Sequence, residues 1–411
     1  MKDFRSARPR AALSVALCLL LAVLALTAPA ALAQDCNVGT QRGASILIPY
    51  FEVDANNAAG LTTLFSVVNE SNQATLTRVV FWTDWGIPTL SFDVYLPPFD
   101  LQTFNVRDQF NGNIPSTGAG ADLSGFNFCD IPEFKPDHAN PALSANQRAQ
   151  LVADHRGVAG PLEAQCAGEF YGDGLLRGYI TVDVVDECSG IQTDETFTPA
   201  WGGYFSEGGG GAGIAIAQNR LWGDFTIVDP ANDFAQGSEA VGLWADPARF
   251  TGDPTFTFYG RYSGYDGRDE RVPLPSWWAT RFLNGGIFSG GTDLIVWRDT
   301  GSDDVSRANC LGARPAWYPL TQSFITARDE DAANQTSLGV GAAVFPLATQ
   351  RVSTAVFGPA YPFGRMQLAL GDSPGLSNPR QSWVQTVLSA SGRFSIGFNA
   401  RALDGLCDEA P

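Results

Sequence analysis

Short runs in which apolar and polar residues alternate with a period of two recur along this chain. Leu90, Phe92, Val94 and Leu96 point one way while Ser91, Asp93 and Tyr95 point the other. Ile180, Val182 and Val184 alternate in the same way with Tyr179, Thr181 and Asp183, and Phe394, Ile396, Phe398 and Ala400 with Ser395, Gly397, Asn399 and Arg401. Successive side chains of a strand project to opposite faces, so each run predicts a half-buried strand with one wet face. Leu61–Val68 and Thr75–Thr83 are rich in β-branched and aromatic residues, and the polar loop Asn69-Glu70-Ser71-Asn72-Gln73 between them predicts a hairpin. Ser391-Gly392 predicts a second hairpin, between Trp383–Leu388 and Arg393–Ala400. Further strands are expected at Ser45–Val53, Leu221–Val228, Ala240–Ala245, Thr255–Tyr262, Asp293–Trp297 and Gly339–Phe345. Many short strands punctuated by Gly, Pro, Asn and Asp predict an all-β fold, with antiparallel sheets arranged as a β-sandwich or jelly roll.

One helix interrupts this pattern. Ser144-Ala145-Asn146-Gln147 has the form of a capping box, Gln150–Asp154 continues it, and Gly157 stops it after Arg156. The helix lies in a long polar segment, about 111–167, bracketed by Cys129 and Cys166 and read as a short helical, disulfide-closed insertion. The chain then divides into 34–190, a sandwich carrying that insertion, and 191–411, a second β-rich domain or a continuation of the first.

Residues 1–33 have the layout of a cleavable signal peptide. Lys2, Arg5, Arg8 and Arg10 precede an uncharged core, Val15–Leu26, and Ala31-Leu32-Ala33 sets the mature start at Gln34. An uncleaved anchor is the competing reading of that segment. No second long apolar run follows, so no membrane span is expected in the mature chain. Loss of the leader removes four basic residues and one acid, deepening the formal charge of −17 by three. Lys135 is then the remaining lysine. Such acidity argues against nucleic-acid partners and against attachment to anionic lipid.

The leader takes Cys18 with it, leaving Cys36, Cys129, Cys166, Cys188, Cys310 and Cys407. An even count in an exported chain predicts disulfides, and the absence of any C-x-x-C pair removes the usual zinc and redox spacings. Cys129–Cys166 is the expected bridge across the insertion, and terminal position suggests Cys36–Cys407.

Two stretches resemble a group of predicted secreted bacterial proteins with no assigned function. They are 61–110, with TTLFSVVN, FWTDW, PTLSFDVYL and FNVRDQFNGN, and 178–237, with GYITVDVVDEC, LWGDF, VDPAN and DFAQG. The resemblance implies bacterial export and supplies no catalytic residue.

Candidate chemistry is sparse. Gly371-Asp372-Ser373-Pro374-Gly375 follows the strand-like Met366–Leu370, yet His138 and His155 both precede it and neither sits in a hydrolase context, so a Gly/Pro turn is the expected reading. Asp84, Asp93 and Asp183 lie in or beside strands, where two carboxylates lining one groove would suit glycoside hydrolysis and solvated-face positions are the plainer reading. The loop groups Asp303-Asp304, Asp329-Glu330-Asp331 with Asn334, and Asp266 with Asp269-Glu270 are compatible with a structural calcium ion but lack the calcium-loop spacing. No other cofactor, and no catalytic or metal-binding residue, is assigned. Neither histidine is expected to matter to folding or activity; His155 would sit partly protonated in the last turn of the helix, favoured by the helix dipole. Among the tryptophans, Trp277 and Trp278 would face opposite sides of a strand, and Trp82 and Trp85 would flank a turn. The expectation is an exported bacterial protein with a non-catalytic binding or structural role, its partner a glycan or another extracytoplasmic protein. A carbohydrate-active enzyme is the alternative.

Overall fold

The computed structural model describes residues 41–115, 143–188, 204–205, 214–246, 257–263, 269–310, 312–339, 343–357, 362–371, 380–391 and 394–404. The signal segment, Cys36, Cys129, Cys407, His138, Asp266 and Ser373 lie outside them. The protein is all-β and its strands pair antiparallel. Strands β1 (Ser45–Val53), β3 (Thr75–Thr83), β4 (Pro88–Leu96), β6 (Leu176–Val185) and β9 (Val241–Leu243) make a sheet in the order β4-β3-β6-β1-β9. Strands β2 (Thr62–Asn69), β5 (Leu101–Asn105), β7 (Leu221–Asp229) and β8 (Phe234–Glu239) make a second, in the order β5-β2-β7-β8. Residues from both sides of position 190 therefore share both sheets.

The third sheet has the order β14-β11-β16-β17, from β11 (Gly291–Arg298), β14 (Thr349–Ser353), β16 (Ser382–Ala390) and β17 (Phe394–Asn399). The fourth, hereafter the outer sheet, has the order β13-β12-β15-β10-β18, from β10 (Trp277–Leu283), β12 (Phe324–Asp329), β13 (Gln335–Leu338), β15 (Phe363–Ala369) and β18 (Arg401–Ala402).

Alternation along the first sheet sorts its side chains into two cores. Ile46, Ile48, Val79, Phe81, Phe92 and Val182 pack against Phe65, Val67, Phe225 and Ile227 of the second sheet. Leu47, Leu76, Val80, Trp82 and Tyr179 face the other way, in a core shared with Leu294, Val296 and Val384 of the third sheet and Trp278, Phe282 and Leu368 of the outer one. The first sheet is thus covered on both faces, and β1, β3 and β4 are buried almost throughout. This corrects the expectation of a wet face on β4 and β6. A period of two reports that the two faces differ; whether the polar face meets water depends on what covers it.

Helix α1 (Val106–Phe110) follows β5, and α2 (Ala145–Arg156) is the helix expected from the capping box. Ser144 accepts from the Gln147 N–H, the Gln147 side chain accepts from the Ser144 N–H, and Gly157 closes the helix at φ +69°. An L side chain at that φ is strained, which is why glycine ends it there.

Other expectations are revised. β2 and β3 do not form a hairpin, because they belong to different sheets. The Asn69–Gln73 loop crosses between sheets and is held by buried Asn69, whose Nδ2 donates to the carbonyls of Gln73, Leu96 and Pro97 at 2.7, 3.2 and 2.9 Å. The described part of 255–262 contains a helical turn, α3 (Gly260–Ser263), in place of a strand. It is capped from below by Asp269, which binds the Tyr259 N–H. The described residues of 339–345 belong to no strand either. On β17 the apolar residues Phe394 and Ile396 face solvent at 42% and 46% exposure. Its polar side is taken by β8, where Ser238 Oγ donates to Asn399 at 3.1 Å and Ser395 Oγ to the Ala235 carbonyl at 2.5 Å.

Candidate functional site

Strand register decides the fate of the carboxylates singled out in the sequence. Asp93 stands opposite Arg78, Arg78 opposite Asp183, and Asp183 opposite Ser45, in one row across β4, β3, β6 and β1. All four residues are buried. Arg78 Nη1 donates to Asp93 at 2.8 Å. Asp183 accepts from Ser45 Oγ, from Tyr204 Oη at 2.6 Å and from Tyr259 Oη at 3.2 Å. Arg271 Nε reaches Ser45 Oγ at 2.5 Å and lies 3.9 Å from Asp183. Burial, followed by the Asp183 charge, pushes both tyrosine hydroxyls well above their ordinary range, so they stay protonated donors. This is a closed network of charges and hydroxyls inside the polar face of the first sheet. Solvated-face positions were expected at Asp93 and Asp183, and the covering of this face corrects that.

Asp84 is also buried, in the turn between β3 and β4, and not solvated. It accepts from the Glu169 N–H at 2.9 Å and from Tyr171 Oη at 3.1 Å. Burial dominates and pushes its carboxyl up to about 7, with the two donors offsetting part of that.

His155 is not the partly protonated helix-end histidine expected from the sequence. It is buried in the last turn of α2, against Phe51 and Phe110, and burial pulls its imidazole down to about 4. The ring is therefore neutral, and the helix dipole has no imidazolium to stabilise. Nδ1–H donates to the Arg177 carbonyl at 2.7 Å, which leaves Nε2 to accept from Thr89 Oγ1 at 2.8 Å. His155→Ala is expected to cost about 2–3 kcal/mol, since it orphans two buried groups and opens a cavity between rings. A thermal midpoint unchanged in that variant would show that the contacts are idle.

These two groups give stability opposite slopes with pH. Asp84 has a folded pKa above its unfolded value, so it opposes folding increasingly as pH rises from about 4 to about 7. His155 has a folded pKa below its unfolded value, so its contribution is full above about 6.5 and is lost as pH falls towards about 4. Asp84→Asn is expected to stabilise the protein at pH 8, with a linkage ceiling of about 4 kcal/mol, and to be nearly neutral at pH 4. Urea midpoints at the two pH values check this, and an equal effect at both would refute it.

The cysteines are connected differently from the expected bridge. Cys166 pairs with Cys310, not Cys129, at a Cα–Cα distance of 5.0 Å. The reason is a β-bridge in which Cys166 and Ala308 exchange backbone hydrogen bonds of 2.7 and 2.9 Å. Cys188 is disulfide-bonded too, its partner outside the described residues. The insertion helix is thereby tied to the C-terminal half of the chain, not closed on itself.

Among the described residues, no group of three His, Cys, Asp or Glu side chains is placed to hold a metal ion. In the candidate calcium loops, Asp329 binds the Asn334 side chain at 2.6 Å and Asp304 the Ser306 N–H at 2.9 Å. Asp269 is buried and binds the backbone N–H groups of Tyr259 and Arg271. No described helix is long and apolar enough to cross a membrane. Trp82 lies on β3 beside the β3–β4 turn, while Trp85, expected on its other flank, sits within the turn, and both are buried. Trp277 is 37% exposed while Trp278 is buried, the opposition that strand geometry predicts.

Trp277 belongs to a solvent-facing surface that sequence reasoning missed. Register aligns Trp277 with Ala369 and Phe324 across β10, β15 and β12, and the rings of Trp277 and Phe324 meet edge to face at 5.9 Å. The next outward row is Ala279, Gln367, Thr326 and Ser337, with Arg401 beside Ala279 on β18. The row after that is Arg281, Arg365, Arg328 and Gln335. Alternation within Trp277-Trp278-Ala279-Thr280-Arg281 was a usable signal for one strand, but pairing partners more than 80 residues apart cannot be read from it.

No protein-family model, no curated protein and no solved structure matches this chain.

Proposed function

We propose that this is an exported bacterial protein that acts outside the cytoplasm by binding a glycan, without turning it over. The observation that carries the proposal is the outward face of the outer sheet, where a partly exposed Trp277–Phe324 pair is continuous with the hydrogen-bonding side chains of Gln367, Ser337 and Gln335. A sheet face with an apolar ring at one end and donors and acceptors beyond it suits the stacked face and hydroxyl rim of a sugar. The Cys166–Cys310 disulfide and the signal-peptide layout support an oxidising, extracytoplasmic setting.

The alternative, a glycosidase, needs two carboxylates free to act on a bond between them. Asp93 and Asp183 are engaged within a buried network, and Asp84 is held by Glu169 and Tyr171. Those engagements support binding over hydrolysis. The test exposes the mature protein and its Trp277→Ala variant to a glycan array and to chromogenic glycosides together. Binding without release of chromophore, weakened several-fold in the variant, is expected. Turnover of any glycoside would restore the enzymatic reading.

A further inference from the structure

We infer that the ligand of the outer sheet is an acidic glycan, gripped through its carboxylate or sulfate groups by Arg281, Arg328, Arg365 and Arg401. The inference rests on the glycan-binding reading above and deepens it.

Arg281 stands directly opposite Arg365, and Arg365 directly opposite Arg328, on three neighbouring antiparallel strands. Arg401, opposite Ala279, is the diagonal neighbour of Arg281. Neighbouring strands lie about 4.8 Å apart, so three guanidinium stems start within about 10 Å of sheet. Like charges directly opposite one another destabilise a sheet. None of the four arginines makes an ion pair among the described residues. Arg281 instead lies over the Phe398 ring at 4.8 Å, and the Nε of Arg328 is buried without a hydrogen-bond partner. The aligned outward positions of the three rows carry no Asp or Glu, in a chain whose formal charge is −17. A row of arginines with no ion pair among the described residues is thus set on an acidic protein, where an incoming anion would offset its repulsion; carboxylates stand only off the rows, as Asp404, which accepts from the Trp277 N–H at 2.6 Å, and as the Asp329-Glu330-Asp331 turn after Arg328.

Arginine recognises carboxylate and sulfate with two parallel N–H donors, a geometry that a single lysine point charge lacks. Four such forks, a polar row and an aromatic edge in sequence match a chain that offers anionic groups, hydroxyls and an apolar ring face by turns. An acidic oligosaccharide has all three. The acidic remainder of the surface would drive off a long polyanion of either kind, polynucleotide or polysaccharide, so the ligand is a short acidic oligosaccharide or a chain end that meets only the arginine row.

Calorimetric titration of the mature protein with polygalacturonate oligosaccharides, heparin oligosaccharides and neutral cello-oligosaccharides tests this. Binding to at least one acidic set is expected, weakening about tenfold or more between low and physiological salt. Arg365→Gln and Arg281→Gln should each lower that affinity at least tenfold, while Arg365→Lys retains the charge and loses part of the affinity. Because each glutamine removes a like-charge opposition, the variants should fold with an unchanged or raised thermal midpoint. Preference for uronate over sulfate, or the reverse, identifies the anionic group. Equal binding of neutral oligosaccharides, unmoved by Arg365→Gln, overturns the inference while the glycan reading stands. No binding to any glycan overturns both. Concentration-dependent dimers that vanish in Arg365→Gln, without glycan binding, would assign the face to a second copy of the chain and overturn both as well.

Discussion

Replacing Arg78 with alanine is expected to destabilise the protein by about 3–5 kcal/mol, seen as a fall in urea midpoint with the denaturant slope unchanged. Asp93 would be left buried without the guanidinium that faces it at 2.8 Å, and Asp183, on the other side of Arg78, would lose a neighbouring positive charge. The cost comes from stranding a charge and not from the intrinsic strength of the pair. Arg78→Met combined with Asp93→Leu should therefore be far milder than either single change, because replacing a whole buried pair with apolar residues of similar volume is often neutral or stabilising. A single-variant loss below about 1 kcal/mol would show that water reaches this row, and the polar face of the first sheet would then have to be open.

Loss of the Cys166–Cys310 bridge is the second large effect. It joins positions 144 residues apart, and closing a loop of that length restricts the unfolded chain by about 4–5 kcal/mol in the entropic account. The Cys166→Ala, Cys310→Ala double variant should unfold at correspondingly lower denaturant. The bridge also covers a small cluster of Trp85, Ile87, Ala167 and Leu347, so the β3–β4 turn that holds Asp84 should loosen with it. Hydrogen exchange at Thr83–Ile87 reads that local effect separately from global stability. Peptide mapping without reduction should recover Cys166 joined to Cys310; recovery of Cys166 joined to Cys129 would sink the assignment.

The way particular elements departed from expectation has a common cause. β1 and β3 were legible to the residue, because β-branched and aromatic runs bounded by turn residues leave little choice of local structure. The capping box of α2 was legible for the same reason, since every interaction that defines it lies within four residues. β12 carries no legible strand signal, and β15 and β10 are legible only in part, as the strand-like Met366–Leu370 and the opposition of Trp277 to Trp278, although the three build the outer sheet. Each places an arginine among its apolar residues, and β10 and β15 pair with strands tens of residues away. Hydrophobic pattern likewise misplaced β17, where a neighbouring strand occupies the polar side and leaves Phe394 and Ile396 outside.

Local chemistry alone settled the strand-rich class of this protein, the helix ends and the opposition of Trp277 to Trp278, because each depends on backbone geometry over a few residues. The sequence also carried every residue of the buried Arg78–Asp93–Asp183 row and of the outer arginine row. Only the tertiary structure decided which row is sealed and which is open. Register set each arginine against its cross-strand neighbours, and the packing of one sheet on another determined where water remains. For Asp183 the covering layer brought Tyr204, Tyr259 and Arg271 to a carboxylate that local sequence marked as solvated. For Arg281, Arg328 and Arg365 no sheet of the described residues closes over the row; Arg281 and Arg365 stay exposed and Arg328 half-buried, three like charges side by side.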